Sequence, residues 1–390
     1  MFYMFKNYRY ALKKSARKEF RYLPVVLLTL PCKGIDSAFE KNITSVFSLD
    51  YDNYYINFVV ESTDDPAYEK LCLLKDKFAS TSKALDVRIL IAGKAACCSQ
   101  KIHNLLCSIG SAADGVEVLA FADSDAYLRS DWLSHLVHPL RKRKCGASTG
   151  YRWFVPERNN LASLALSAIN AKVAQLLGNT RFNQAWGGSM AIRLDTFRSA
   201  GIEDIWQKSL SDDLSLSYAV KKAGMKIVFA PACLVASYEK TTWPELFEFA
   251  RRQFLITRVT MPGTWLFAIF SSIYSLAGLW AGAVLAIYTA VTAKPGLLVF
   301  VTVPMTFLAS QFFRSILRQK LIIQLLPDDV EKMRPAIIAD LLGTCIWSWV
   351  MFVCIAASAY GRRITWRGIR YRLISPTETV IDEKHNKEKA

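Results

Sequence analysis

The 390-residue chain is 52% hydrophobic, 12% aromatic and only 21% charged, which excludes intrinsic disorder, because so much apolar surface can be buried. Its length suits one large or two ordinary domains. The net charge of +16 would suit a nucleic-acid partner, but the basic residues flank apolar segments and no reader motif is present, so none is expected.

Residues 1–22 are a basic segment, with seven Lys/Arg between Lys6 and Arg21 interleaved with Phe2, Tyr3, Phe5, Tyr8 and Tyr10. They lack the apolar stretch of a secretory signal and fit either an amphipathic helix on a membrane surface or a frayed tail. From 23 to 259, β-rich runs alternate with helical patterns. Strands are predicted at Pro24–Leu30, Tyr55–Val60, Val87–Ile91 and Val116–Ala122, with helices near Ala38–Phe47, Ala67–Phe78, Ile102–Ile109 and Trp132–Leu140. The alternation predicts an α/β domain with a mainly parallel sheet and helices on both faces. Ligands bind such sheets at the carboxyl ends of the strands. Further helices are predicted near Asp213–Gly224 and Trp243–Arg258.

Met261–Ala293, Pro295–Phe313 and Leu341–Tyr360 carry no charge, and roughly 20 helical residues cross a bilayer core. Residues 260–360 therefore read as a multi-pass membrane region, with hydrophobic segments 261–293, 295–313 and 337–360 and an interfacial loop 314–336. A basic tail, 361–375, holds five Arg between Arg362 and Arg372, and the polar end 376–390 is expected to be disordered. Basic flanks mark the cytoplasmic side, where anionic lipid contributes about 1 kcal/mol per cation. The α/β domain is therefore expected in the cytoplasm, at a bacterial inner membrane or on an organelle's cytosolic face. Three crossings would separate the two flanks, so either 261–293 is a tight helical pair or one segment is re-entrant or interfacial. The nine cysteines form no CxxC, which indicates reduced thiols rather than a zinc site or a disulfide frame.

Asp123-Ser124-Asp125 follows the fourth strand directly. Two carboxylates one residue apart at a strand end can hold a hard divalent cation that neutralises a diphosphate, whereas a capping role is already filled by Ser130-Asp131. Asp64-Asp65-Pro66 follows the second strand, where helix capping and ligand binding are both open. Ser211-Asp212-Asp213 opens an amphipathic helix; one carboxylate caps, and the second is suited to general-base work. Gly187-Gly188-Ser189 permits close backbone approach to an acceptor or a phosphate. Arg251-Arg252-Gln253 can reach phosphate oxygens or snorkel at the interface. Lys94 and Lys101 flank a polar loop from which a cation can meet a phosphate. His103, His135 and His138 fall in no catalytic pattern.

Taken in order, these motifs resemble the ceramide glucosyltransferases, glycosyltransferase family 21, a branch of the inverting nucleotide-sugar transferases. The resemblance runs from about Pro24 to Leu373, through Lys33-Gly-Ile-Asp36, Leu49-Asp-Tyr51, Asp64-Asp-Pro-Ala67, Lys101-Ile-His-Asn-Leu105, Ala122-Asp-Ser124 and Thr365-Trp-Arg-Gly-Ile-Arg-Tyr-Arg-Leu373. It implies a type A glycosyltransferase (GT-A) domain over 23–259, a UDP-sugar donor, a membrane lipid acceptor and a divalent cation, Mg²⁺ or Mn²⁺. Asp65 matches the family's first aspartate, near the nucleoside. Asp123 matches the second, with Asp125 completing the metal-binding DxD, and Asp213 matches the third, the base. Arg252, Gln253 and Phe254 fall at the (Q/R)xxRW motif, although Gln253-Phe254 stands where Arg-Trp is expected. Lys101, Trp366 and Arg367 join the expected nucleotide-sugar contacts, while Gly187, Gly188 and Asp212 are placed on the acceptor side. The implied reaction moves a hexose, glucose from UDP-glucose, to a ceramide hydroxyl. The alternatives are a processive polysaccharide synthase and a non-catalytic membrane scaffold.

Overall fold

Val26, Leu28 and Leu30 face one hydrophobic cluster while Leu27 faces another, so the first strand is buried on both sides, as a central parallel strand must be. The computed structural model describes residues 2–78, 80–292, 295–366 and 369–381. It divides into two compact units: a sheet unit of Tyr10–Trp153, Leu177–Tyr238 and Arg362–Ala390, and a helical unit of Met1–Arg9, Phe154–Leu176 and Glu239–Gly361.

The strands of the large sheet are β1 (Val26–Pro31), β2 (Tyr54–Val60), β3 (Asp86–Ile91), β4 (Val118–Ala122), β5 (Cys145–Pro156), β6 (Ser189–Arg193) and β7 (Lys226–Glu239). Their order is β3-β2-β1-β4-β6-β5-β7. The first four neighbours run parallel, and β6 then joins antiparallel to both β4 and β5. The mainly parallel α/β class is thus observed, with an antiparallel extension that the alternation of the first four strands did not announce. Helices Phe39–Phe47, Pro66–Phe78 and Gln100–Gly110 connect the parallel strands. The last is capped by Ser99, whose Oγ accepts from Ile102 N at 3.3 Å. In the β4–β6 register Ala122 lies opposite Ser189, which sets Asp123 beside Gly188.

Past Arg362 the chain forms a small antiparallel meander of β8 (Arg363–Trp366), β9 (Ile369–Ser375) and β10 (Glu378–Ile381). The expectation of disorder from residue 376 is therefore corrected for Glu378–Ile381. Thr379 N donates to Lys208 O at 2.8 Å and gives the meander a partner that local composition does not reveal. Residues 382–390 lie outside the described residues.

The helical unit contains Leu161–Ala174, Trp243–Thr260, Pro262–Val291, Leu297–Leu325, Val330–Leu342 and Thr344–Ala357. The run that begins at Met261 is one helix of 30 residues rather than a tight pair, with a π turn at Ala277–Ala281. Gly278 lets this helix approach the Phe307 ring, since a methyl there would lie 2.3 Å from it; small residues allow such approach between membrane helices. By length and composition two helices, Pro262–Val291 and Leu297–Leu325, can cross a membrane. The region 314–336, expected as a loop, is largely helical, because the Leu/Ile residues among its cations continue the helix to Leu325. The third hydrophobic segment is bent by 87° between Pro327–Leu342 and Thr344–Ala357. The bend falls at Gly343, where Trp347 Nε1 donates to Ala339 O at 2.7 Å and a methyl would lie 2.4 Å from that indole nitrogen.

Candidate active site

β4 delivers Asp123 to the carboxyl edge of the sheet, and the helix Gln100–Gly110 delivers Lys101 to meet it. Lys101 Nζ lies 2.6 Å from Asp123 Oδ1 and 3.1 Å from Asp212 Oδ2. Burial acts to discharge this ammonium, but Asp123, Asp212 and Asp213 together outweigh it and hold the lysine protonated well above its usual range. For Asp212, burial raises the carboxyl; Lys101 opposes the rise, and Asp213 and Asp123 add to it.

Asp213 is oriented by its own helix start and by Gly187. Its Oδ1 accepts from Ser211 Oγ and from Leu214 N, the latter at 2.7 Å, and its Oδ2 accepts from Gly187 N at 3.2 Å. Ser211 caps the N-terminus of the same helix through Leu214 N, so one serine starts the helix and positions the carboxylate. Gly187 and Gly188 are small for a steric reason. A methyl on Gly187 would lie 2.1 Å from Asp212 Oδ2; one on Gly188 would lie 2.3 Å from the Trp186 ring and 2.6 Å from Asp123 Oδ2.

Asp65 fills the capping role and ties in a neighbouring loop. Its Oδ1 accepts from Ala67 N at 2.9 Å, which starts the helix Pro66–Phe78, and from Gly34 N at 2.8 Å, which ties in the loop after β1. Burial pushes the Cys32 thiol up, and Asp65 and Asp123 add to that rise, so these two aspartates share one neighbourhood. Sequence reasoning passed over Tyr151 and Arg152. Arg152 lies over the Trp186 ring at 5.5 Å, and Tyr151 meets the same ring edge-on at 6.0 Å. Burial and Asp123 raise the Asp125 carboxyl, against the pull of Arg152 and Lys101. No spacing signal marks Arg152; only the antiparallel pairing of β5 and β6 brings its strand here.

The residues fit a divalent cation. Asp123, Asp125, Asp212 and Asp213 gather around Lys101, with Arg152 beside Asp125, and Asp125 Oδ1 is buried without a hydrogen-bond partner. Among the described residues no three His, Cys, Asp or Glu side chains form a complete cage. Asp123 and Asp125 would supply two carboxylates, with phosphate and water as the remaining ligands, the usual way Mg²⁺ is bound.

A model of glycosyl transferase family 21 matches residues 1–379. The chain belongs to that family. Ceramide glucosyltransferase 3 of Caenorhabditis elegans is 30% identical to this family member over 114 residues, which is 29% of this chain and 24% of that relative's length. Among solved structures, a mannosyltransferase from Pyrobaculum calidifontis, in complex with GDP-Man and Mn²⁺, is 14% identical and covers 92% of this chain and 93% of its own, with a TM-score of 0.45. GalNAc-T7 with UDP, GalNAc and Mn²⁺ is 14% identical over 65% of this chain and 51% of its own, with a TM-score of 0.42.

The remaining expected residues of this family-21 glycosyltransferase fall elsewhere. Trp366 is half-buried and closes the β8–β9 hairpin opposite Ile369, and Arg367 lies outside the described residues. The meander reaches the site's neighbourhood through Thr377 and Thr379, which bond Ser209 and Lys208 just ahead of Asp212. Arg252 and Gln253 sit on the helix Trp243–Thr260 of the helical unit. There Arg252 lies over the Phe249 ring at 5.6 Å, and Gln253 O accepts from Thr257 Oγ1 at 2.8 Å. Arg251 has a structural use: it donates to Ala357 O and Tyr360 O, each at 3.1 Å, and so satisfies the end of the helix Thr344–Ala357.

Proposed function

We propose that this family-21 glycosyltransferase is a multi-pass membrane hexosyltransferase that moves glucose from UDP-glucose to the hydroxyl of ceramide, with inversion. The observation that carries the reading is the Asp213 carboxylate, fixed by Gly187 N, Ser211 and Leu214 N next to the Lys101-bridged pair Asp123 and Asp212. Family membership and the relative named a ceramide glucosyltransferase support the choice of sugar and lipid.

An acceptor hydroxyl has a pKa far above 7, so a carboxylate must take its proton as it attacks. Asp213 accepts that proton while the hydroxyl oxygen bonds to the anomeric carbon. The bond from that carbon to the diphosphate oxygen breaks, and its electron pair leaves on UDP. Lys101, kept protonated by its aspartates, presents positive charge to the departing oxygens. A divalent cation held by Asp123 and Asp125 would neutralise the diphosphate when bound. Gly187 and Gly188 keep the acceptor side open, and Asp212 holds Lys101 in place. Asp65 serves the nucleoside end of the donor, and Trp366 and Arg367 join the donor contacts.

Two crossings return a chain to the side it left, so both basic flanks and the sheet unit fall on the cytoplasmic side. The bent pair then lies along the interface, where a lipid hydroxyl is met at the bilayer surface.

The test is to incubate membranes carrying wild type or Asp213→Asn with labelled UDP-glucose, Mg²⁺ or Mn²⁺, and ceramide, diacylglycerol or a sterol, and to resolve the lipid extract by mass. A monohexosyl ceramide that falls about 10²- to 10⁴-fold in the variant, as for a lost general base, is expected. A polymer, or no glycolipid from any acceptor with folded protein, would overturn the reading.

A further inference from the structure

Inside the helical unit lies a second polar cluster, built from Lys172 on the helix Leu161–Ala174, Arg314 and Arg318 on Leu297–Leu325, and Asp340 on Val330–Leu342. Its single carboxylate is already committed. Arg318 grips Asp340 with two nitrogens, Nε at 2.6 Å from Oδ2 and a terminal nitrogen on Oδ1, and Gln319 Nε2 donates to Oδ2 at 2.6 Å. Arg318 is 4% exposed and Asp340 1%, so this is a buried, neutralised pair.

The other two cations have no such partner. Lys172 Nζ donates to Thr344 O and Ser348 Oγ, each at 2.8 Å, and to Thr344 Oγ1 at 3.4 Å. All three acceptors are uncharged. Burial, with Arg318 and Arg314 acting the same way, pushes the Lys172 ammonium down to about 7, and Asp340 only partly opposes them. Arg314 Nε is buried with no hydrogen-bond partner. A polar group buried without a partner is costly, and a charge more so. Charges on membrane helices usually face a partner or a ligand path.

Position indicates the partner. Arg314 is the first residue after the charge-free run Pro295–Phe313, and Arg318 lies one turn further. Cations that end an apolar membrane helix sit at headgroup depth, where basic pockets between helices take up lipid phosphates. A phosphate diester offers one negative charge and acceptor oxygens for Arg314 Nε and for Lys172.

We propose that Lys172, Arg314 and Arg318 form a binding site for the phosphate of an anionic membrane lipid, separate from the donor and acceptor of the transfer reaction. The site needs no UDP-sugar, so its test stands apart from the proposed transfer. Purified full-length protein in neutral detergent is titrated with phosphatidylglycerol, with phosphatidylcholine or with inorganic phosphate, and bound molecules are counted by native mass spectrometry. Phosphatidylglycerol should bind in preference to phosphatidylcholine and survive excess inorganic phosphate. Arg314→Gln leaves the Arg318–Asp340 pair intact and should weaken phosphatidylglycerol binding about tenfold to a hundredfold, the value of one charge-assisted hydrogen bond. Arg334→Gln, which removes an exposed arginine paired with Glu331, should change nothing. Equal binding of the two lipids by wild type, full displacement by inorganic phosphate, or Arg314→Gln binding as tightly as Arg334→Gln would each overturn the proposal. The lipid preference of wild type tests it even if a variant does not fold.

Discussion

The two units each hold a charged cluster, and the clusters are unbalanced in opposite directions. In the sheet unit, Asp123, Asp125, Asp212 and Asp213 outnumber Lys101 and Arg152. In the helical unit, Lys172, Arg314 and Arg318 outnumber Asp340. The same physics governs both, since a buried charge persists only when something compensates it. The sign of the imbalance therefore says which counter-ion each cluster suits: a cation beside Asp125, an anion beside Arg314. It also separates the groups that bind from those that merely hold. Lys101 and Asp340 are the internal counter-charges, and Asp125 and Arg314 are the groups left open.

The largest effect should come from removing an internal counter-charge. Asp340→Asn leaves three cations without an anion and should destabilise the protein by about 3–5 kcal/mol, the usual result of breaking a buried pair from one side. A thermal melt in neutral detergent reads it, and an unchanged Tm would deny that the pair is buried and coupled. Next comes cation binding. Saturating Mg²⁺ or Mn²⁺ should stabilise the wild type by about 2.7 kcal/mol at a hundredfold excess over Kd. The gain should disappear with a chelator and in Asp125→Asn, and a gain that survives in that variant would move the metal elsewhere. Gly188→Ala should cost about 1–3 kcal/mol through overpacking, because its methyl meets Trp186 and Asp123 Oδ2. Transfer activity should fall with it, and a fully active, equally stable variant would show that the wall behind Asp123 yields.

How far the sequence could be read differs between the same two clusters. β4 is buried at every position, so it reads as a continuous apolar run and the carboxylates after it stand out. The Ser211-Asp212-Asp213 helix start was legible for the same local reason, although the cap is the Ser211 hydroxyl rather than one of the two carboxylates. Arg152 was not legible, because its approach depends on antiparallel β6 lying between β4 and β5, a pairing that no local periodicity encodes. The helical cluster joins residues as distant as Lys172 and Ser348, and each alone reads as an ordinary polar residue on an apolar helix. The bend at Gly343 was hidden because the charge-free run Leu341–Tyr360 continues straight through it. Only the Trp347 indole folded back on Ala339 O shows why a glycine stands there.

The smallest effect tests a cation that the fold refuses rather than retains. His138 follows the helix Trp132–Val137, with its ring edge-on to Phe20 at 5.5 Å and both ring nitrogens buried without hydrogen-bond partners. Burial lowers its pKa to about 4, and Arg141, Arg17, Lys14 and His135 push the same way. An unfolded histidine titrates near 6.5. Between these values the unfolded chain binds a proton that the folded chain does not, so stability rises with pH across that window. The contribution is complete above about 6.5, is lost as pH falls toward 4, and levels off below that. His138→Phe keeps the packing against Phe20 and removes the titration. Its Tm should change less with pH than that of wild type over this window and run parallel to it at neutral pH. Parallel curves throughout would mean that the folded protein accepts the proton at His138, and that the basic residues around it do not set its charge.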